Sequence, residues 1–147
     1  MKLRQTHVGF SIVEILVALT LIAILAAMAY PSYTDSVRKS RRSDAMVTLM
    51  SLQLAQEKRR AAKPDYATDL VDLGMQQADG GYLSNDGYYR IVLSSDDPSI
   101  SYVITATPVG DQQKDACVFF AVNQDGPDIR TASNGMTVNE KKTCWKK

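Results

Sequence analysis

Residues 10–30 read FSIVEILVALTLIAILAAMAY, and this stretch decides how the chain is organised. It is apolar throughout except for Ser11, Glu14, Thr20 and Tyr30. At about 1.5 Å of rise per residue, a helix of this length spans roughly 30 Å, which is the thickness of the hydrocarbon core of a bilayer. We therefore predict a membrane-spanning helix over residues 10–30.

The carboxylate of Glu14 is the unusual feature of this stretch. A charge at the centre of a membrane helix costs about 2.5–3.5 kcal/mol on insertion scales, so it requires protonation or a cationic partner. An ionisable residue in such a place is a candidate functional residue.

The residues on both sides of the apolar stretch form a distinctive pattern. A short basic leader ends at Gly9, Phe10 follows, Glu14 is the fifth residue after the glycine, and Pro31 follows the apolar run. This pattern resembles the N-terminus of a type IV prepilin. The resemblance implies that a prepilin peptidase cuts between Gly9 and Phe10, and that Phe10 becomes the N-methylated terminus. It also implies that Glu14 pairs with the terminal amine of a neighbouring subunit during filament assembly, where the two charges would neutralise each other in lipid.

The same resemblance implies a division of the chain into three parts. Residues 1–9 are expected to be a cleaved leader, residues 10–30 the membrane and assembly half of a long helix, and residues 31–147 a single head domain. The helical pattern continues beyond Pro31, which removes one backbone hydrogen bond and should kink the helix rather than end it. Pro64 should end it.

The second half of the chain predicts a sheet. Three strand signals, rich in aromatic and β-branched residues, lie at residues 88–93, 101–107 and 117–122. Turn residues separate them, and residues 63–87 are expected to form a long connection. We predict an α+β fold of the type IV pilin kind, in which one long N-terminal helix packs on an antiparallel sheet of three to four strands. A disulfide-bounded C-terminal region follows. Within the helix, the predicted core stripe is Ala45, Leu49, Leu52 and Ala55.

The chain has two cysteines, Cys117 and Cys144. In an exported domain an isolated pair most simply forms a disulfide, whereas in a cytosolic protein it would indicate two free thiols. We expect the bridge, and closing its loop should contribute roughly 3–4 kcal/mol to stability.

Residues for catalysis and metal binding are scarce. The one histidine, His7, lies in the leader, so the mature chain cannot build a Ser-His or Cys-His pair. Neither a P-loop nor a dinucleotide fingerprint occurs. Asn123, Asp125 and Asp128 resemble part of a calcium loop but lack its terminal glutamate. We predict that the protein is not an enzyme and has no metal and no cofactor.

Two basic groups are candidates for contact with DNA phosphates. One comprises Lys58, Arg59, Arg60 and Lys63; the other comprises Lys141, Lys142, Lys146 and Lys147, with Trp145 between them. An exposed Trp145 would stack on a base. The alternative is a solvated surface, with Trp145 packed on the disulfide.

The C-terminal half contains a second resemblance. Its pattern is a strand followed by Ala106-Thr107-Pro108, then Gln112, Asp115, Cys117, an Asn-Gln-x-Gly turn and Cys144-Trp145. This pattern resembles that of PilE-type minor pilins and related DNA-uptake pilins. It implies a minor structural subunit of a type IV pilus that serves adhesion, twitching motility or DNA uptake. The alternatives are a DNA-binding receptor displayed on that pilus and a type II secretion pseudopilin. The implied partners are other pilin subunits, the inner-membrane assembly machinery, the prepilin peptidase, the membrane before assembly and, in the receptor alternative, DNA.

Charge complicates the predicted location. The resemblance places the protein in the inner membrane with a periplasmic head, and then in an extracellular filament. Positive charge favours the cytoplasmic side. Four basic residues follow the span and outnumber the two that precede it, so charge alone favours the opposite orientation. They are Arg38, Lys39, Arg41 and Arg42, against Lys2 and Arg4.

Overall fold

A computed structural model of the chain describes residues 10–78, 81–128 and 144–145. The chain divides into two compact units, residues 1–36 and 37–147. The described elements are helix α1 (Ile12–Ala62) and strands β1 (Gln77–Ala78), β2 (Gly81–Leu83), β3 (Tyr89–Ser94), β4 (Val103–Pro108), β5 (Phe120–Asn123) and β6 (Gly126–Pro127). Short 3-10 helices occupy Val71–Leu73 and Gly110–Lys114.

In the first unit, α1 exposes its apolar side chains. Every residue from 10 to 33 is exposed, and the helix is long and apolar enough to cross a membrane by length and composition, a test that a signal sequence also passes. The hydroxyl of Thr20 bonds to its own helix, since Oγ1 donates to the Val17 carbonyl at 2.8 Å. Pro31 lies inside the helix without ending it, and the kink at Pro31 stays a prediction.

In the head unit, residues 37–147, the second half of α1 packs on the sheet. Ala45, Leu49 and Leu52 are buried as the helical stripe predicts, whereas Ala55 is half-buried. Their neighbours in the core include aromatic and branched residues of three strands, namely Tyr89, Ile91, Ile104, Phe120 and Val122. The core therefore lies between one helix face and one sheet face, as predicted for the α+β class.

The sheet is an antiparallel meander in the order β1 to β6. Strands β3 and β4 pair over their full length, from Tyr89 opposite Pro108 to Ser94 opposite Val103. Burial alternates along β4, because successive side chains point to opposite faces of a strand. The predicted fold class is confirmed, and its central strands lie within two or three residues of the predicted bounds.

The sheet has more strands than the three to four expected. Residues 77–83 contain the β1–β2 hairpin, inside the segment predicted as a connection, and β6 adds two residues at the other edge. Strand β5 begins at Phe120 rather than at Cys117. Part of the reason is that the Cys117 amide donates to the carboxylate of Asp115 at 3.2 Å instead of to a neighbouring strand.

Candidate assembly and nucleic-acid surfaces

The predicted assembly residues lie at the start of α1. Phe10 is 77% exposed, and Glu14 is exposed, with its backbone amide bonded to the Ser11 carbonyl in the first turn. Gly9 lies outside the described residues. The proximity that would pair Glu14 with a neighbour's amine is a property of the assembled filament, so this role stays a prediction.

A second apolar surface lies on α1 within the head unit. Val47, Met50 and Leu54 are 58%, 51% and 56% exposed. Their spacing of three and four residues aligns them on one face of the helix, opposite the buried stripe. The same spacing is visible in the sequence. Three large apolar side chains are thus exposed together on one face of α1, and exposed apolar patches are typical of interaction surfaces.

The basic residues that follow the apolar stretch make contacts within the head domain. Arg38 donates to Asp111 at 3.3 Å, and the Arg41 guanidinium lies 4.4 Å from the centre of the Tyr88 ring. The third of these contacts is an ion pair between Arg42 and Asp115, in which the two nitrogens of the guanidinium fork meet the two carboxylate oxygens at 2.8 and 2.5 Å. This hydrogen bonding raises the pKa of Arg42 above its ordinary value.

The ion pair belongs to a buried polar network. The side-chain amide nitrogen of Gln112 lies within hydrogen-bond distance of three acceptors, between which its two hydrogens are shared. They are the Asp115 carboxylate and the Tyr89 hydroxyl, both at 3.0 Å, and the Arg38 carbonyl at 2.9 Å. Burial raises the pKa of Tyr89 to about 12. The network fixes the 3-10 helix that precedes Cys117 against α1.

A second anchor uses Asp44, which is buried on α1. Its carboxylate accepts hydrogen bonds from the Ser84 hydroxyl at 2.5 Å and from the Asp86 and Tyr88 amides at 3.1 and 3.4 Å. The turn that it holds includes Gly87 with φ of +77°, a conformation that L side chains rarely adopt. Asp44 thus ties the β2–β3 turn to the helix.

The first basic group, at the end of α1, is only partly available for contact with DNA phosphates. Arg59 pairs with Asp72 at 3.1 Å, and the Arg60 guanidinium lies 5.3 Å from the centre of the Tyr66 ring. Lys58 and Lys63 are exposed. The structure therefore brings three cations, Lys58, Arg60 and Lys63, to the surface at this end of the helix.

The second basic group, Lys141, Lys142, Lys146 and Lys147, lies outside the described residues. The disulfide between Cys117 and Cys144 is confirmed, with the two Cα atoms 5.8 Å apart. Trp145 is half-buried and meets Phe120 edge to face, with ring centres 5.5 Å apart. Trp145 thus packs on the core next to Cys144, as the packing alternative expects.

Among the residues that the structure describes, no group of three or more histidine, cysteine or acidic side chains could hold a metal ion. Within the suspected calcium loop, the side-chain oxygen of Asn123 accepts the Asp125 amide at 2.9 Å. That hydrogen bond closes a local turn, which is the common role of asparagine at such positions.

Comparison with known proteins identifies the family. A family model described as type IV minor pilin ComP, DNA uptake sequence receptor, matches residues 31–121. The chain belongs to this family of type IV minor pilins. A second model, the prokaryotic N-terminal methylation motif, matches residues 9–30 of the minor pilin, the stretch on which the prepilin resemblance rested.

Two individual proteins are also similar to this minor pilin. The fimbrial protein EcpC of Eikenella corrodens is 42% identical over 43 residues, which cover 29% of this chain and 28% of EcpC. The minor pilin thus matches less than a third of the length of that relative. A solved type IV pilin from Shewanella oneidensis is 21% identical, with a TM-score of 0.47, and the match covers 68% of this chain and 98% of that one.

Proposed function

We propose that this minor pilin is processed between Gly9 and Phe10, held in the inner membrane with its head in the periplasm, and then assembled through α1 into a pilus. The observation that supports this most strongly is the exposed apolar surface of residues 10–30, which α1 forms from Ile12 onward. A surface of that size is stable only in lipid or against other chains. The head domain has a second exposed apolar surface, formed by Val47, Met50 and Leu54, and this surface also needs a partner chain.

In this proposal Glu14 selects the register between subunits. An unpaired carboxylate in lipid costs about 2.5–3.5 kcal/mol, and a neighbour's terminal amine at Phe10 removes that cost at one helix stagger only. Other staggers leave a carboxylate and an ammonium group unpaired, so they are disfavoured.

The test is incorporation of Glu14→Ala into filaments. The variant should insert into the membrane at least as well as wild type, because alanine removes the insertion cost, yet it should be depleted from sheared pili several-fold. Thr20→Ala is the matched control, since Thr20 bonds only to its own helix among the contacts described. Quantitative immunoblots of membranes and sheared pili give both readouts. Equal incorporation of Glu14→Ala and Thr20→Ala would remove the register role.

We further propose that the head domain binds DNA during uptake. Two observations support this role: the family model describes a DNA uptake sequence receptor, and three cations, Lys58, Arg60 and Lys63, gather at the end of α1. Cations bind phosphates without regard to sequence. The lysines at 141, 142, 146 and 147 are the second candidate group.

A salt titration tests DNA binding. The full chain in a neutral detergent is titrated with a short labelled duplex at several salt concentrations, and the slope of log K against log salt is measured. Each phosphate contact that is lost should reduce the magnitude of this slope by about 0.9. We expect a loss of one to two units of slope for the double variant Lys58→Glu with Lys63→Glu.

Two further variants complete this titration. A fourfold Lys→Glu variant at positions 141, 142, 146 and 147 tests the second group in the same way. Lys39→Glu, an exposed lysine elsewhere on α1, is the control and should bind like wild type. If wild type and all variants bind equally, or if wild type does not bind at all, the receptor role is refuted while the assembly role is unaffected.

A further inference from the structure

Gln56 is a fully buried polar residue on the core face of α1. Its amide nitrogen donates to the Ala67 carbonyl at 3.0 Å, and its amide oxygen accepts the Ala67 amide at 2.7 Å. Ala67 is itself completely buried. The side chain of Gln56 thus supplies to Ala67 the two hydrogen bonds that a neighbouring strand would otherwise supply.

The segment around Ala67 is held from two further directions. The Tyr66 amide donates to the Pro98 carbonyl at 2.9 Å, in the turn between β3 and β4. The Tyr66 ring meets Tyr102 edge to face with centres 4.7 Å apart, and its other contact is the guanidinium of Arg60. Residues 63–67 therefore have one defined path across the end of the helix.

An apolar residue would fill the core position of Gln56 equally well. It would, however, leave the amide and carbonyl of Ala67 buried without partners, which is costly for each group. A glutamate would also fail when ionised, because its carboxylate cannot donate to the Ala67 carbonyl. The amide of Gln56 thus fixes the path of the loop, whereas the packing of the core does not depend on it.

We propose that Gln56 is a positioning residue for nucleic-acid binding: it fixes the loop so that Lys63 and the Arg60–Tyr66 pair are presented together before DNA arrives. This inference rests on the DNA-binding role proposed above. A surface that is already ordered avoids the entropic cost of ordering on binding, and affinity rises accordingly. Gln56 itself, being buried, does not touch the DNA.

The test compares Gln56→Met with Asp44→Ala in the full chain in neutral detergent. Both remove a buried anchor from α1, but Asp44 holds the β2–β3 turn instead of the loop after the helix. For a short labelled duplex, Gln56→Met should raise Kd about tenfold with the salt slope reduced by no more than one unit, because the cations remain but are no longer pre-arranged. Asp44→Ala should leave Kd within about twofold of wild type.

Gln56→Glu provides a further test, because DNA binding by this variant should be restored at low pH. A purely structural role of Gln56 would not produce this restoration of DNA binding. Burial raises the pKa of a carboxylic acid. At about pH 5 the protonated acid can donate to the Ala67 carbonyl and accept its amide, as the glutamine does. Kd relative to wild type should therefore be near one at about pH 5 and rise several-fold at about pH 8.

Three results would overturn the positioning role. These are an unchanged Kd for Gln56→Met, an equal rise for Asp44→Ala, and a relative Kd for Gln56→Glu that does not depend on pH. Absence of binding by wild type is a separate result, visible before any variant is measured, and it would refute the DNA-binding role and the positioning role together.

Discussion

Replacing Asp115 with alanine removes the partner of a partly buried guanidinium. The side chains of Arg42 and Asp115 are 12% and 2% exposed, and both carboxylate oxygens accept hydrogen bonds from Arg42. The same carboxylate also accepts the Gln112 side-chain amide and the Cys117 backbone amide. One substitution therefore removes the acceptor of the Arg42 guanidinium and of the Cys117 amide, whereas the Gln112 amide keeps its two other acceptors.

The expected loss of stability follows from this geometry. Breaking a buried ion pair by removing one partner costs about 3–5 kcal/mol, because an uncompensated charge remains buried. The residual exposure of Arg42 lets it reach some water, which lowers the cost, whereas the orphaned backbone amide of Cys117 raises it. We expect a net loss of about 3–5 kcal/mol. For a domain of this size, that corresponds to a fall in Tm of roughly 12–20 °C.

Urea unfolding of the full chain in neutral detergent measures this loss, with fluorescence of Trp145 as the probe. Trp145 is the single tryptophan of the chain and packs on Phe120, so its signal reports the head domain. Asp111→Ala is the control, because Asp111 is half-exposed and its ion pairs with Arg38 and Lys114 should together contribute less than about 1 kcal/mol. A loss below about 1 kcal/mol for Asp115→Ala would refute the reasoning.

Two other predictions concern the head domain. Replacing both Cys117 and Cys144 with alanine should lower the free energy of unfolding by roughly 3–4 kcal/mol, as expected for a bridge across 27 residues; free-thiol labelling of both cysteines in protein from the periplasm would contradict the bridge. Stability should also fall as pH rises from about 10 to about 12, because burial raises the pKa of Tyr89 to about 12 and the unfolded chain therefore loses that proton first. Tyr89→Phe should flatten this fall in melts recorded across that range. The slope that remains should come from Tyr102, whose pKa is raised by burial, and from Tyr82, whose pKa is raised by its hydrogen bond to Asp69. An identical alkaline slope in Tyr89→Phe would contradict the assignment.

The long helix and the three central strands could be predicted because their signals are local. Hydrophobic spacing identifies α1 over many turns, and runs of β-branched and aromatic residues identify β3, β4 and β5. The β1–β2 hairpin could not be predicted in this way. Its strands have two and three residues, too few to show alternation, and Gly81, with φ of +116°, looks like part of a loop.

The head-domain anchors escaped prediction for a different reason. Arg42 meets Asp115 across 73 residues of sequence, and no local pattern identifies such a pair. The basic residues after the apolar stretch therefore resembled a signal for orientation in the membrane. Three of the four instead make contacts within the head domain: Arg38, Arg41 and Arg42.

Gln56 is the functional candidate that the sequence could have revealed. The buried positions 45, 49 and 52 continue to position 56 at helical spacing, so a glutamine there interrupts an otherwise apolar stripe. A polar residue at a core position of a helix indicates a buried hydrogen-bond partner. The predicted stripe ended at Ala55 instead, which is only half-buried.

The mass of the N-terminal peptide from purified filaments tests assembly through the processed helix most directly. Pili sheared from cells with an active prepilin peptidase should contain this chain beginning at Phe10 and carrying one methyl group on its amine. Membranes from a strain without the peptidase should contain the chain with its leader attached. Detection of the chain in membranes but not in pili, or in pili with any other N-terminus, would contradict the proposal that it is a processed subunit of the filament.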